Sequence, residues 1–458
     1  MTGRIVVVGN GLAAHRLTER LAAFGYAGSV TVLGAEPRPA YQRPLLPWVL
    51  AGSLPAEALD LPAPPGGVTV RTGVRVTGAD RAARTVTCAD GTVEPYDTLV
   101  LATGARHGLT GDVRPARGRV AVVGGGVLGV ETAAALRRRG HEVLLAHAGP
   151  YPMHRVLDAV AGERVAAYLT GLGVELRCGV RGEADDSLGA DTVVRCTGAV
   201  PDTAVARAAG LPVRRGVVVD DRLCTADPAI HAIGACVDGG DGLLATGRAQ
   251  ADHLAALLTG RTTAAYAPPP SILRPRLQGL DVAVMGRPGE EPDEAVTFAD
   301  PSGGRHARLE LTGGRVRHAV LVGLPEAIAT VGQLYDQSRP VPGDRLPLLL
   351  GAAPTSDDAP ESWPDAHVLC HCNNVTKADI AQAWRRGART PDSLTTATRA
   401  TTGCGGCTTA LRSLCTALAR SKDGDERQPG PGPGLTAAAH RGEARRAVTP
   451  LPLPEVVR

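Results

Sequence analysis

The sequence predicts an α/β chain: two Rossmann-like dinucleotide-binding units, then a small α+β unit, then a small helical unit that carries cysteines. Three observations predict it. A short β-rich run, Arg4 to Val8, ends in Gly9-Asn-Gly11 and opens into helical spacing. The same pattern of strand, glycine turn and helix returns at Val120 to Gly129. Four cysteines fall as two close pairs, Cys370-x-Cys372 and Cys404-x-x-Cys407, while the other six are scattered.

The elements follow in order. Helical spacing runs from Leu12 to Phe24, and Val30 to Leu33 is the next strand, which makes a βαβ start. The second copy has a strand at Val120 to Val123, a helix through Arg139 and a strand at Val143 to Leu145. Leu99 to Gly104 and Val193 to Gly198 are strands that end in glycine turns. From about Pro268 the pattern changes. Val282 to Met285, Ala295 to Phe298, His306 to Leu311 and Val316 to Val322 have strand character, with Asp300-Pro-Ser-Gly-Gly and Thr312-Gly-Gly as turns between them. Leu324 to Gln337 reads as a helix. Residues 268–350 therefore form a connector, and 352–366, rich in Ala, Pro, Ser and Asp, form a linker. Helical patterns follow each cysteine pair; Thr376-x-x-Asp379 opens one as a capping box and Thr408 to Arg420 forms the other. Residues 421–458 are mostly Gly, Pro and charge and are expected to be a disordered tail.

Composition excludes several functions. The net charge of +3, from 49 basic and 46 acidic residues, is too balanced for a nucleic-acid or anionic-membrane partner. Aromatics at 3% argue against base-stacking platforms. No apolar run approaches the roughly 18 residues of a membrane span, and the apolar run after Arg4 is too short for a signal peptide. A cytoplasmic protein is expected, so the cysteines are not structural disulfides.

In Gly9-x-Gly11-x-x-Ala14 the first glycine makes a tight turn, and the second lets backbone approach a pyrophosphate. The small third residue lets helix and strand pack closely. Glu36 stands at the end of the second strand, where a carboxylate would bind a ribose hydroxyl. Gly124-x-Gly126-x-x-Gly129, followed by Glu131, has the same mechanics. Here the strand-end position holds His147, with His154 and Arg155 nearby. A missing carboxylate removes repulsion against a 2′-phosphate, so NADH and NADPH both stay open; the other reading of His147 is a solvent-exposed side chain.

Four thiolates in two close pairs suit a zinc site or an iron–sulfur cluster. Gly403, Gly405 and Gly406 interleave the second pair and let backbone N–H groups approach the sulfurs, which favours the cluster. Cys88, Cys178, Cys196, Cys224 and Cys236 are isolated and read as packing residues, as does Cys415.

On these residues the first 265 positions resemble the NAD(P)H-dependent FAD oxidoreductases of the ferredoxin and rubredoxin reductase type. Further matching stretches are Tyr41-Gln-Arg-Pro44, Ala102-Thr-Gly104, Thr197-Gly-Ala-Val-Pro201, Gly216-Val-Val-Val-Asp220 and Ile230-His-Ala-Ile-Gly-Ala235. The resemblance implies an FAD-binding domain at 1–115 and 230–266 with an NAD(P)-binding domain, 116–229, inserted into it. It implies FAD contacts at Gly9, Gly11, Ala14, Glu36, Arg43, Val76, Thr103, Gly104 and Gly234. For NADH or NADPH it implies Gly124, Gly126, Gly129, Glu131, His147 and Gly198, with Glu131 facing either the nicotinamide–flavin stack or the packing. Two departures weaken polar contacts to FAD: Ala235 replaces an Asp, and Pro47-Trp48 replaces a Ser-Lys. The redox cysteine pair of the family's disulfide reductases is absent.

Residues 368–418 resemble the bacterioferritin-associated-ferredoxin-like 2Fe-2S domain, which implies Cys370, Cys372, Cys404 and Cys407 as cluster ligands in a domain at 367–420. The order of the units resembles the electron-transfer subunit of assimilatory nitrate reductase and the N-terminal part of the assimilatory nitrite reductase large subunit. The expected function is electron transfer from NAD(P)H through FAD and a 2Fe-2S cluster to the catalytic subunit of a nitrate or nitrite reductase. Side-chain acid–base chemistry is not required. Two other readings stay open: a subunit of an amine or opine oxidase, against which the intact second fingerprint speaks, and a non-enzymatic 2Fe-2S docking protein with a degenerate flavin site.

Overall fold

The computed structural model describes residues 3–106, 115–180, 188–289, 291–350, 363–365, 367–370, 375–401 and 407–425. The first unit is a parallel five-stranded sheet in the order Ile230–Ala232, Thr98–Leu101, Arg4–Val8, Ser29–Gly34 and Val68–Thr72. Alternation along Arg4–Val8 sends Ile5 and Val7 to one apolar core and Val6 and Val8 to another. Helices Leu12–Ala23 and Leu244–Leu258 cover the first face through Leu17, Leu21, Ala251 and Leu254. A bidentate pair joins them, Arg16 Nε to Asp252 Oδ1 at 2.6 Å and Nη2 to Oδ2 at 3.0 Å. An antiparallel sheet of Val76–Asp80, Thr85–Cys88 and Val93–Pro95 supplies Val76 and Val86 to the other core.

The second unit repeats the plan with four parallel strands: Glu175–Cys178, Val143–His147, Val120–Val123 and Thr192–Arg195. Helices Val127–Arg138 and Ala159–Gly171 pack on it. The chain passes between the two units on Ala105–Arg106 and Val200–Pro201, which pair antiparallel.

In the connector, five antiparallel strands run in the order Ile272–Leu273, Val282–Gly286, Arg315–Val322, Arg305–Thr312 and Glu294–Asp300. Helix Pro325–Asp336 covers one face through Ala327, Ile328 and Val331. The other face sends Val282, Val284, Val320 and Val322 into the core of the second unit.

The cysteine-bearing unit pairs Val368–Cys370 with Val375–Thr376, followed by helices Lys377–Arg385, Pro391–Thr398 and Thr408–Asp425. The expected capping box forms, with both Thr376–Asp379 bonds present. Two expectations shift. The last helix runs on to Asp425, so the chain is still helical at the first positions expected to be tail. The end of the expected linker also belongs to this unit. Trp363 packs against its core and accepts a hydrogen bond from Lys377 Nζ at 2.6 Å. Residues 351–362 and 426–458 lie outside the described residues. Among the described residues no helix is long and apolar enough to cross a membrane.

Candidate cofactor sites

Gly9 closes the first turn in the left-handed region, at φ 108°. A Cβ there would stand 2.2 Å from the Ala102 carbonyl oxygen, so only glycine fits. Gly11 is the N-cap of helix Leu12–Ala23; no side chain caps it, and a Cβ at Gly11 would meet nothing within 4 Å. The first N–H groups of that helix therefore face an open space, as an anionic pyrophosphate needs. Ala14 is fully buried against the sheet. Gly234, at φ 81°, stands beside the same helix, its missing Cβ 3.1 Å from Ala13 Cβ. Its N–H donates to Gln250 Oε1 at 2.7 Å, a buried side chain that the sequence reading did not single out.

The Glu36 carboxylate is already oriented: Arg43 pairs with Oε1 and the Tyr41 hydroxyl donates to Oε2 at 2.9 Å. Burial raises the Tyr41 phenol well above its ordinary range, so it stays a donor. Val76 commits its side chain to the core. Pro47 is buried in a short helix, Leu46–Leu50, that packs into the core of the second unit. Thr103 and Gly104 lie where the units cross, and Gly198, at φ 111°, stands just before the returning strand Val200–Pro201 with open space where a Cβ would be. Thr103 Oγ1 donates to the Asp202 carbonyl at 2.6 Å, and Asp202 N–H to the Gly104 carbonyl at 2.9 Å.

The second turn repeats the first. Gly124 has φ 116°, and a Cβ on it would stand 2.3 Å from the Cys196 carbonyl oxygen. Gly126 is an uncapped N-cap with open space where a Cβ would be, while a Cβ on Gly129 would fall 1.8 Å from the Gly124 carbonyl oxygen. Both turns thus fit dinucleotide pyrophosphates.

Two expected contacts look different in three dimensions. His147 is only 4% exposed and lies under the turn, its Cγ 2.6 Å from where a Gly125 Cβ would be. Its Nδ1 accepts from Gly149 N–H at 3.2 Å, which places the proton on Nε2, 3.3 Å from Cys178 Sγ. Burial, then nearby His154, lowers the His147 pKa, so the ring is neutral at pH 7. Cys178, read from sequence as packing, is exposed. Glu131, also 4% exposed, accepts from the Arg276 backbone N–H at 2.7 Å and lies 3.6 Å from Arg276 Nη1. No spacing signal links Glu131 to a residue of the connector.

Of the cysteine quartet, Cys370 and Cys407 are described, 3% and 7% exposed in one apolar cluster with Leu369, Trp384 and Leu411. Cys407 directly precedes helix Thr408–Asp425, and its carbonyl accepts from Leu411 N–H at 2.9 Å. Its thiol thus stands at a helix N-terminus, where negative charge is favoured. That donor set suits a cluster of iron and sulfide. Cys372 and Cys404 lie outside the described residues. Cys415 instead donates to the Arg389 carbonyl at 3.7 Å, and burial raises its pKa.

Comparison with known proteins agrees with this geometry. Residues 3–252 match the family described as pyridine nucleotide-disulphide oxidoreductase, and residues 368–416 match the BFD-like [2Fe-2S] binding domain. The chain is 29% identical over 455 residues to a nitrite reductase [NAD(P)H] of Bacillus subtilis, covering 88% of this chain and 56% of that protein. It is 26% identical over 465 residues to the assimilatory nitrate reductase electron transfer subunit of the same organism, covering 92% of this chain and 60% of that one. It therefore spans little more than half the length of these relatives. The crystal structure of a covalent putidaredoxin reductase–putidaredoxin complex superimposes with a TM-score of 0.67 and 24% identity, over 78% of this chain and 97% of that chain. Two left-handed glycine turns on parallel sheets and a family match across both units lead to one conclusion: this chain belongs to the pyridine nucleotide-disulphide oxidoreductase family.

Proposed function

We propose that the chain is a cytoplasmic electron-transfer flavoprotein. It would take electrons from NADH or NADPH and deliver them, by way of FAD and a 2Fe-2S cluster, to the catalytic subunit of a nitrate or nitrite reductase. The observation that carries this reading is the pair of uncapped helix N-termini behind Gly9 and Gly124, in one chain with a buried cysteine at the start of a third helix. The two relatives named above, matched along most of this chain, support the choice of partner.

In this reading the N–H groups after Gly11 and Gly126 bind the pyrophosphates of FAD and NAD(P)H. Ala14 and Gly129 set the helix–strand distance. Glu36, oriented by Arg43 and Tyr41, accepts a hydrogen bond from a ribose hydroxyl. Thr103, Gly104, Gly234 and Gly198 line the crossing with backbone, and Val76 supports it from the core. His147 sets the room beside the second turn. Glu131 is held by Arg276 and acts as a positioning group. Cys370, Cys372, Cys404 and Cys407 are the cluster ligands. Held by these residues, FAD would supply hydride acceptance and one-electron release, and the 2Fe-2S cluster one-electron transfer.

The test is an anaerobic titration of the purified yellow protein with NADH and with NADPH. Bleaching of the flavin band, with about two irons per chain, is expected. NAD(P)H-dependent nitrate or nitrite reduction should then appear when the catalytic subunit is added. A protein that neither bleaches nor couples overturns the reading.

A further inference from the structure

The loop after the strand Val143–His147 is held at three points. At its start, the His147 ring lies against Gly125 and accepts from Gly149 N–H at 3.2 Å. In its middle, Met153 sits in the left-handed region at φ 58° and donates its N–H to the Gly125 carbonyl at 2.7 Å. At its end, Asp158 caps helix Ala159–Gly171, Oδ1 accepting from Ala161 N–H at 2.9 Å. The second carboxylate oxygen, Oδ2, lies 2.9 Å from His306 Nε2, on a connector strand 148 residues away in sequence. His306 is 2% exposed and the Asp158 side chain 28%, so the contact is buried on the connector side and reaches solvent only at the carboxylate. Arg308, Glu310 and His318 share the same sheet face; Arg308 Nε donates to Glu310 Oε1 at 3.0 Å, and His318 Nδ1 lies 3.4 Å from Glu310 Oε2.

A methionine in the left-handed region is strained, and such residues persist only where their surroundings fix them. Here both ends of the loop are fixed, one by the glycine turn and the other by the connector. We propose that His306 is a positioning residue for nicotinamide-nucleotide binding: from the connector it clamps Asp158 and so holds the 147–157 loop against the Gly124–Gly129 turn. The inference rests on reading that turn as the NAD(P)H site. Sequence spacing does not reveal it, because the clamp joins two units whose own patterns are complete without it.

The experiment uses the full chain with its flavin and cluster. His306→Ala should raise KM for NAD(P)H about tenfold while kcat changes less than about twofold, and calorimetric Kd for NAD(P)+ should rise with KM. Flavin content and reduction of the flavin by dithionite should be unchanged. His306→Gln, whose amide can still donate to Asp158, should recover most of the affinity. Asp158→Asn keeps the helix cap and loses the carboxylate; it should repeat the KM rise, and it serves as the test if His306→Ala does not fold. Unchanged KM and Kd in the folded variants would overturn the proposal, as would a loss of flavin in proportion to activity. If the unmodified protein neither binds NAD(P)+ nor oxidises NAD(P)H, the reading of the turn fails first and the clamp with it.

Discussion

Gly9 and Ala102 meet backbone to backbone: any Cβ at Gly9 would stand 2.2 Å from the Ala102 carbonyl oxygen. Gly124 and Cys196 repeat the contact in the second unit at 2.3 Å. The two sites can therefore be disabled separately. Gly9→Ala should yield protein with little bound flavin. Gly124→Ala should keep the flavin band but raise KM for NAD(P)H by more than about tenfold, measured by the rate of bleaching. Equal flavin loss in both variants would contradict the assignment of one dinucleotide to each turn.

Iron content checks the cysteine assignment. Cys370→Ser and Cys407→Ser should each lose most of the roughly two irons per chain and the reduced-state EPR signal. Cys415→Ser should keep both, because that thiol is spent on the Arg389 carbonyl. Stoichiometric zinc in place of iron would sink the cluster reading.

His147 is neutral and buried beneath the second turn, so it sets shape and removes repulsion instead of supplying a positive charge. His147→Glu would place a carboxylate beside the ribose and repel a 2′-phosphate. The ratio of kcat/KM for NADH to that for NADPH should rise about tenfold or more. An unchanged ratio in a folded variant assigns discrimination to another residue.

Asp336, at the end of the connector helix Pro325–Asp336, has its pKa raised from 3.8 to about 6 by burial, against a smaller opposing effect of the Val368 N–H. The folded state therefore binds the extra proton between those values. Stability falls as pH rises from about 4 to 6, and above that the whole penalty, at most about 3 kcal/mol, is present. Asp336→Asn should raise the Tm at pH 7.5 and give little gain near pH 4. A gain of the same size at both pH values would show that the charge is not the cause.

Much of this molecule was legible in the sequence because its signals are local. A glycine that must adopt φ 108° or 116° can be read from the strand before it and the helix after it. The alternating runs of the connector gave four of its five strands to within two residues, missing the two-residue Ile272–Leu273, and Thr376 and Asp379 announced their capping box. What needed the tertiary structure was pairing between units. Sequence placed His147 at a strand end, but only packing shows that the ring turns under Gly125 and meets Cys178. Glu131 follows from its motif, but its partner Arg276 lies 145 residues away, and His306 lies 148 from Asp158. Periodicity and spacing record what a segment does with its own neighbours. A buried charge or ring takes its partner from whatever element folding brings against it, and that choice leaves no local pattern.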